Sequence, residues 1–321
     1  MKKIKVLSLF SGIGAFEKAL KNIGVDFELI NYCEINKYAS RSYSLIHNVN
    51  ENLNLGDITK IDIDSLSDFD LLTHGSPCQS FSIAGKQEGG DKGSGTRSSL
   101  MWHTVEIIKN KKPKYVVWKN VKNVLSKNHI HNFENYISEL DGLGYKSYYK
   151  VLNSCNYGIP QNRERIFVVS ILGKHNTYEF PKEIKLTKCI RDILEENIDN
   201  KYYMDKPFEL LNKNINKESI CKQIARLDIK GNDCIRRVYD PDYCSPTLST
   251  CGGGHREAKI FINNKVKKLT PLEYWRLQSF DDEDFNKCKN AKISNSQLYK
   301  QAGNSITVKV LEYIFKNLFK N

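Results

Sequence analysis

The chain has 321 residues, enough for one large domain or for a large domain with a smaller one attached. Hydrophobic residues make up 40% and charged residues 27%, which excludes a disordered polyelectrolyte. No stretch approaches the roughly 18 apolar residues of a membrane span. The formal net charge of +12 favours a polyanionic partner, nucleic acid first, because clustered Lys and Arg displace condensed counterions from phosphates. The start, Met1-Lys2-Lys3-Ile4-Lys5, is basic, yet the apolar run Val6–Phe10 breaks at Ser11-Gly12, too early for a secretory leader. Nine cysteines without a Cys-x-x-Cys pair then fit free thiols in a reducing, cytoplasmic setting. His129-x-His131 has no Cys or carboxylate beside it, so no metal is expected.

In chain order, Val6–Phe10 reads as a strand and Ala15–Asn22 as the helix after it. Phe27–Tyr32 is a second strand, and Asp70–Thr73 a short buried one that stops at Gly75-Ser76-Pro77. Ser98–Asn110 has helical spacing and leads to the strand Tyr115–Trp118. Tyr145–Leu152 and Ile166–Leu172 flank a turn around Gly158-Ile159-Pro160, and an amphipathic helix over Ile306–Phe319 closes the chain. This alternation predicts an α/β domain with a mostly parallel sheet. Between about 180 and 290 it fades into polar, Arg- and Lys-bearing sequence with Gly252-Gly253-Gly254. The expected organisation is a cofactor-binding catalytic domain over 1–180 and 292–321, with a smaller inserted domain over 181–291.

Two stretches carry chemistry. In the first, strand one runs into Gly12-x-Gly14 and a helix opens, so the backbone can approach a ligand and the helix start offers N–H groups. Glu34, about 20 residues on, suits two ribose hydroxyls, and Asp57 can accept from an adenine amino group or cap a helix. Position 17 is Glu, so the third glycine of a dinucleotide fingerprint is missing, which argues for a nucleoside ligand without a pyrophosphate. In the second, GSPCQSFS over 75–82 sets Cys78 at the carboxyl edge of the sheet, stiffened by Pro77 and followed by Gly85, Gly89, Gly90, Gly93 and Gly95. A rigid thiol beside a glycine-rich lid suits a covalent step in a closing site.

Pro77-Cys78-Gln79, with Phe10-Ser11-Gly12-Ile13-Gly14, resembles the cytosine-5 DNA methyltransferase family. Further blocks of that family follow in order: Arg97-Ser98-Ser99-Leu100, Asn120-Val121, Gln161-Asn162-Arg163-Glu164-Arg165, Leu269-Thr270-Pro271-x-Glu273-x-x-Arg276-Leu277-Gln278 and Gly303-Asn304-Ser305. The resemblance implies a Rossmann-like S-adenosylmethionine-dependent methyltransferase domain with a smaller target-recognition domain, of the bacterial or phage restriction-modification type. It implies that a Cys78 thiolate adds to C6 of a cytosine flipped out of double-stranded DNA, making C5 nucleophilic enough to take the methyl group, with S-adenosylhomocysteine as product. Arg163 and Arg165 would lie near the flipped base, Arg165 better placed for the cytosine O2. Phe10, Gly12, Gly14, Glu34, Asp57, Ile58, Leu100, Asn304 and Ser305 would surround the cofactor, and Asn304 could also cap the last helix. Gln79, Ser82, Arg97, Arg236, Arg237, Thr247, Leu248 and Arg256 would face DNA, which the protein is expected to bind as a monomer.

One block departs from the family. After the strand Tyr115–Trp118 the family has Glu-Asn-Val, and this chain has Lys119-Asn120-Val121. The family's glutamate contacts N3 and the N4 amino group of cytosine, whereas lysine only donates and cannot accept from that amine. The expectation is severely impaired methyl transfer with cofactor and DNA binding intact, which keeps open a catalytically inactive binding protein of the same fold. A tRNA cytosine methyltransferase is disfavoured by the absence of a Cys-Phe-Thr motif, and a nicotinamide oxidoreductase by Glu17.

Overall fold

A computed structural model of the chain describes residues 3–77, 89–173, 177–211 and 219–319. They divide into two compact units, the first comprising residues 1–152, 164–181 and 312–321, the second residues 153–163 and 182–311.

In the first unit, β1 (Ile4–Leu9), α1 (Ala15–Asn22), β2 (Phe27–Cys33) and α2 (Lys37–His47) come first, then β3 (Leu71–His74) and α3 (Met101–Lys111). β4 (Tyr115–Val121), α4 (Ile130–Gly142), β5 (Tyr145–Asn153) and β6 (Glu164–Leu172) complete it. The sheet order is β2-β1-β3-β4-β6-β5. β1 pairs in parallel with both β2 and β3, β3 pairs in parallel with β4, and only then does β4 meet β6 antiparallel. The chain leaves β1 on one side to make β2 and returns on the other to make β3. The carboxyl ends of β1 and β3 therefore flank a topological switch point, where open α/β sheets bind ligands. β3 is buried along its whole length and β1 from Val6 onward, as strands in the middle of a parallel sheet are. Leu7, Leu9, Leu72, Val116 and Trp118 pack with Met101, Val105 and Ile108 of α3 and Phe133, Tyr136 and Leu140 of α4. Each such side chain contributes about 1.5–3 kcal/mol by burial.

The second unit holds a sheet that periodicity did not reveal. Its order is β7-β12-β11-β10-β9-β8, from β7 (Tyr203–Met204), β8 (Phe208–Leu210), β9 (Gln223–Leu227), β10 (Arg237–Tyr239), β11 (Lys259–Ile262) and β12 (Lys265–Lys268). A four-residue helix, α5 (Asp233–Arg236), precedes β10. β11 and β12 form a hairpin across Asn263 and Asn264, both at positive φ (50° and 59°), the left-handed pair that a two-residue turn needs. Then come α6 (Pro271–Arg276), α7 (Asp282–Asn290), α8 (Asn295–Asn304) and α9 (Val308–Leu318), the last crossing from one unit to the other. The Leu269-Thr270-Pro271 motif is a helix start. Thr270 N–H donates to Glu273 Oε2 (2.7 Å), Glu273 N–H donates back to Thr270 Oγ1 (3.2 Å), and Pro271 sits where no N–H is needed. Glu273 also takes a buried ion pair from Lys267.

Residues 292–311, placed by sequence with the first domain, belong to the second compact unit. α8 is tied to α6 and its flanks there: Trp275 Nε1 donates to Leu298 O (3.0 Å), Gln278 Nε2 to Ala302 O (2.8 Å) and the Tyr299 hydroxyl to Leu269 O (2.6 Å).

Glu17 sits in the first core at 1% exposure, beside Ser8 and Tyr43. Burial pushes its carboxyl up to about 6 from an ordinary 4.5. Below the ordinary value both states are protonated and nothing is lost. As the pH rises toward 6 the unfolded chain ionises first, and folding loses about 2 kcal/mol, a loss that then stays constant. Glu17→Gln carries no such term. Its stability relative to the unsubstituted chain should rise by about 2 kcal/mol between pH 4 and pH 8 in urea titrations, and a pH-independent difference would refute this.

Candidate active site and cofactor pocket

The turn after β1 is built for close backbone approach. Phe10, Gly12 and Gly14 have φ of 53°, 58° and 79°, and Gly14 is the N-cap of α1. A Cβ on Gly14 would stand 2.0 Å from His47 Nε2, so glycine is required there, whereas a Cβ on Gly12 would meet nothing within 4 Å. Phe10, a non-glycine residue held in the left-handed region, stores strain of the kind that clusters at functional sites.

Glu34 directly follows β2 and its carboxylate is aimed by backbone: Gly12 N–H donates to Oε2 (2.9 Å) and Asn36 N–H to Oε1 (2.8 Å). Asn54, which sequence reasoning missed, holds the neighbouring segments. Its Oδ1 accepts from Glu34 N–H (2.9 Å) and Gly56 N–H (3.0 Å), and its Nδ2 donates to Glu34 O and Ser40 Oγ (both 2.9 Å). No strand precedes Asp57; the contact there is an isolated bridge between Tyr32 and Asn54. Asp57 caps the 3-10 turn Ile58–Lys60, accepting from Thr59 N–H (3.0 Å) and Oγ1 (2.9 Å). Those contacts hold its carboxyl below the usual range. Ile58 is buried and Leu100 half-buried, packed on the same core as Phe10.

At the end of β3, Ser76 is buried and its Oγ accepts from Trp118 Nε1 (3.0 Å) and, at longer range, from Asn120 Nδ2 (3.4 Å). His74 stacks on Trp118 at 5.8 Å and shares a hydrogen bond with the Tyr136 hydroxyl (2.9 Å). Cys78, Gln79, Ser82 and Gly85 lie outside the described residues.

Lys119 lies on β4 at 8% exposure, opposite Phe167, and Val121 lies opposite Arg165. Strand alternation puts Trp118 and Asn120 on the Ser76 face and Lys119 and Arg165 together on the other, as diagonal neighbours.

Arg163 stands elsewhere. It is 2% exposed in the second unit, and its guanidinium donates to Leu248 O (3.3 Å), Gly303 O (2.9 Å) and Ser305 O (2.9 Å). Flanking residues extend the clamp: Gln161 Nε2 donates to Leu277 O (2.7 Å), its Oε1 accepts from Leu248 N–H (3.3 Å), and Thr247 Oγ1 donates to Asn162 O (2.6 Å). Arg163 thus ties these segments together, and Leu248 is buried with both backbone groups taken. Asn304 is the exposed last residue of α8 and Ser305 its C-cap, so Asn304 does not cap α9.

Of the other basic residues expected to face DNA, Arg236 Nε donates to Leu227 O (3.0 Å) and Arg237 pairs with Asp233 (2.7 Å). Arg97 and Arg256 are exposed. Among the described residues, no cluster of three His, Cys, Asp or Glu could hold a metal, and no helix is long and apolar enough to cross a membrane.

A mostly parallel sheet with a glycine turn and two hydrogen-bonded carboxylates near its switch point is consistent with an α/β methyltransferase fold. Solved structures agree. A methyltransferase of Entamoeba histolytica, EhMeth, superimposes with a TM-score of 0.75 at 18% identity over 99% of this chain and 98% of that one. The Dnmt2 methyltransferase of S. pombe gives 0.70 at 20% identity, covering 99% of each chain. The model of C-5 cytosine-specific DNA methylases matches residues 4–320. The orphan methyltransferase M.SPBetaI of Bacillus phage SPbeta is 37% identical over 99% of this chain and 98% of its own. The type II methyltransferase M.HhaI of Haemophilus parahaemolyticus is 34% identical over 98% and 94%. The chain belongs to the C-5 cytosine-specific DNA methylase family, whose activity is DNA cytosine-5 methylation.

If Arg163 is the clamp described, Arg163→Met leaves three buried carbonyls without their donor. Amide exchange at 247–249 and 303–306 should then speed by at least about 10-fold, each lost charged hydrogen bond being worth about 1.5–3 kcal/mol. Exchange as slow as in the unsubstituted chain would contradict the clamp.

Proposed function

We propose that this protein transfers a methyl group from S-adenosylmethionine to C5 of a cytosine extruded from a specific sequence in duplex DNA, and that Lys119 makes the transfer slow. The observation that carries the reading is the aimed Glu34 carboxylate beside a glycine turn, in a chain matched end to end by its family. The residues fit the donor. Open space beside Gly12 admits a ligand against the backbone, Glu34 suits the ribose hydroxyls, and an ionised Asp57 suits an exocyclic amine. Phe10, Ile58 and Leu100 supply apolar walls. Bound there, the donor supplies an electrophilic methyl group.

The protein's own groups act on the base. Cys78 adds through sulfur to C6, and Arg165 balances negative charge growing on O2. Ser76, tethered by Trp118 and Asn120, fixes the strand end that leads to the thiol. At position 119 a hydrogen-bond acceptor for the cytosine amine is missing, and the lysine's positive charge opposes protonation at N3. Loss of a positioned acid costs about 100- to 10,000-fold in rate. The exposed Arg256 and Thr247, with Arg97, contact DNA. The setting is the cytoplasm, in a modification system like those of the type II relatives. The same lysine favours a second reading, a catalytically silent protein that still binds donor and DNA.

Lys119→Glu decides between them. Labelled-methyl incorporation into duplex DNA should rise by at least about 100-fold over the unsubstituted chain. Equal, substantial rates would remove Lys119 from the mechanism. No incorporation by either form, with no covalent trapping of Lys119→Glu on a 5-fluorocytosine duplex, would remove the cysteine chemistry. Glu34→Gln should weaken donor binding by calorimetry about 10-fold, the worth of one charge-assisted hydrogen bond. Undiminished affinity would displace the donor from this pocket.

A further inference from the structure

We propose that Lys259 is a positioning residue that sets DNA sequence specificity: together with the Tyr274 hydroxyl it holds the loop 249–258 in one shape, whose exposed tip reads bases in duplex DNA. This rests on the reading that the protein binds duplex DNA.

Lys259 opens β11 at 2% exposure, and its Nζ donates to His255 O (2.5 Å) and Glu257 O (2.9 Å). Tyr274 of α6 is fully buried; its hydroxyl oxygen accepts from Ala258 N–H (2.8 Å) and lies 3.3 Å from Cys251 Sγ. Ser249 closes the stem, its Oγ accepting from Cys251 N–H (3.2 Å) and donating to Arg256 O (3.0 Å). Below the stem, a Cβ on Gly303 would stand 2.3 Å from Ser249 O, so only glycine lets α8 come this close. The loop is thus fastened at its stem and both shoulders by side chains that are not part of its tip.

The tip needs fastening. Cys251 and His255 have φ of 49° and 60°, with Gly253 and Gly254 at 90° and 66° between them. Two non-glycine residues in the left-handed region cost free energy that local contacts must offset. Burial of the ammonium has its own cost, visible in a pKa pushed down to about 8. The buried cation is retained here because a long chain ending in three N–H donors reaches two loop carbonyls at once, with the Glu257 carboxylate favouring its charge. Residues 252–256 are exposed, presenting Arg256 and His255 beside three consecutive glycines that let backbone enter a groove. Arg236 and Arg237 are engaged within the chain, which leaves this tip as the better reader. A preset loop pays less ordering entropy on binding and discriminates more sharply.

The test begins with the unsubstituted protein selecting duplexes from a random pool, which needs binding and not catalysis. Dissociation constants for an enriched and a scrambled duplex are then compared for the unsubstituted chain, Lys259→Met and Tyr274→Phe across several salt concentrations. Either substitution should cut the preference for the enriched duplex by about 10-fold or more, the worth of about one mismatched pair. Affinity for the scrambled duplex, its salt dependence and donor binding should stay unchanged. Tyr274→Phe keeps the ring and carries the test if Lys259→Met fails to fold. A preference retained in the folded variants overturns the proposal. So does a fall in affinity for both duplexes with a salt slope shallower by about one phosphate contact, which would make Lys259 a backbone contact. Failure of the unsubstituted protein to enrich any duplex would instead overturn the DNA-binding reading beneath it.

Discussion

Three carbonyls from two distant parts of the chain, at Leu248 and at Gly303 and Ser305, converge on the single guanidinium of Arg163, which joins them within the second unit. A buried cation needs acceptors, and a planar fork can meet several of them in one plane where a lysine offers one nitrogen. The neighbouring side chains repeat the pattern, since Gln161 grips Leu248 and Leu277 while Asn162 holds Thr247 through its carbonyl. The Gln161–Arg163 stretch thus splices the Thr247-Leu248 segment to the end of α8. Within that motif, Gln161 and Arg163 bind other parts of the chain.

The first unit uses backbone in place of guanidinium. Glu34 is aimed by two N–H groups, Asn54 bridges the segments on either side, and Gly14 is small because His47 fills the space a side chain would need. Groups fixed this way lose little entropy when a ligand arrives. The strained Phe10 belongs to the same arrangement, its conformation held by packing against the main core.

Much of this was legible in the sequence, and what was not has identifiable causes. The inner strands β1 and β4 of the first sheet are largely buried, so apolar-rich runs at Val6–Phe10 and Tyr115–Trp118 located them, and the true ends at Leu9 and Val121 differ by a few residues. The second sheet escaped because its strands are two to five residues long and partly exposed, too short for a period to register. Its clearest marker, Asn263-Asn264 between Ile262 and Lys265, is a hairpin-turn signal that was available and unread. Spacing singled out Glu34, and the Gly56-Asp57-Ile58 context singled out Asp57. Asn54, which aligns the segment between them, follows no motif, because a bridging amide is defined by what surrounds it in space. The partners of Arg163 were hidden for the complementary reason: sequence names a charged residue but not the carbonyls that will claim it.

Position 119 separates what folding requires from what catalysis requires. On β4 the backbone of residue 119 pairs with Phe167 whatever its side chain, so the strand register is indifferent to lysine or glutamate. The side chain is not indifferent. Alternation puts it on the face that carries Arg165, where a carboxylate would attract the guanidinium and an ammonium repels it. The aimed groups that suit the donor lie after β1 and β2, and the basic tip suited to DNA lies in the second unit, so neither depends on residue 119. Under the proposed function, then, this lysine weakens proton bookkeeping at the base while leaving intact the binding steps that precede it. A protein with a net charge of +12 keeps its attraction to DNA whether or not its chemistry is fast.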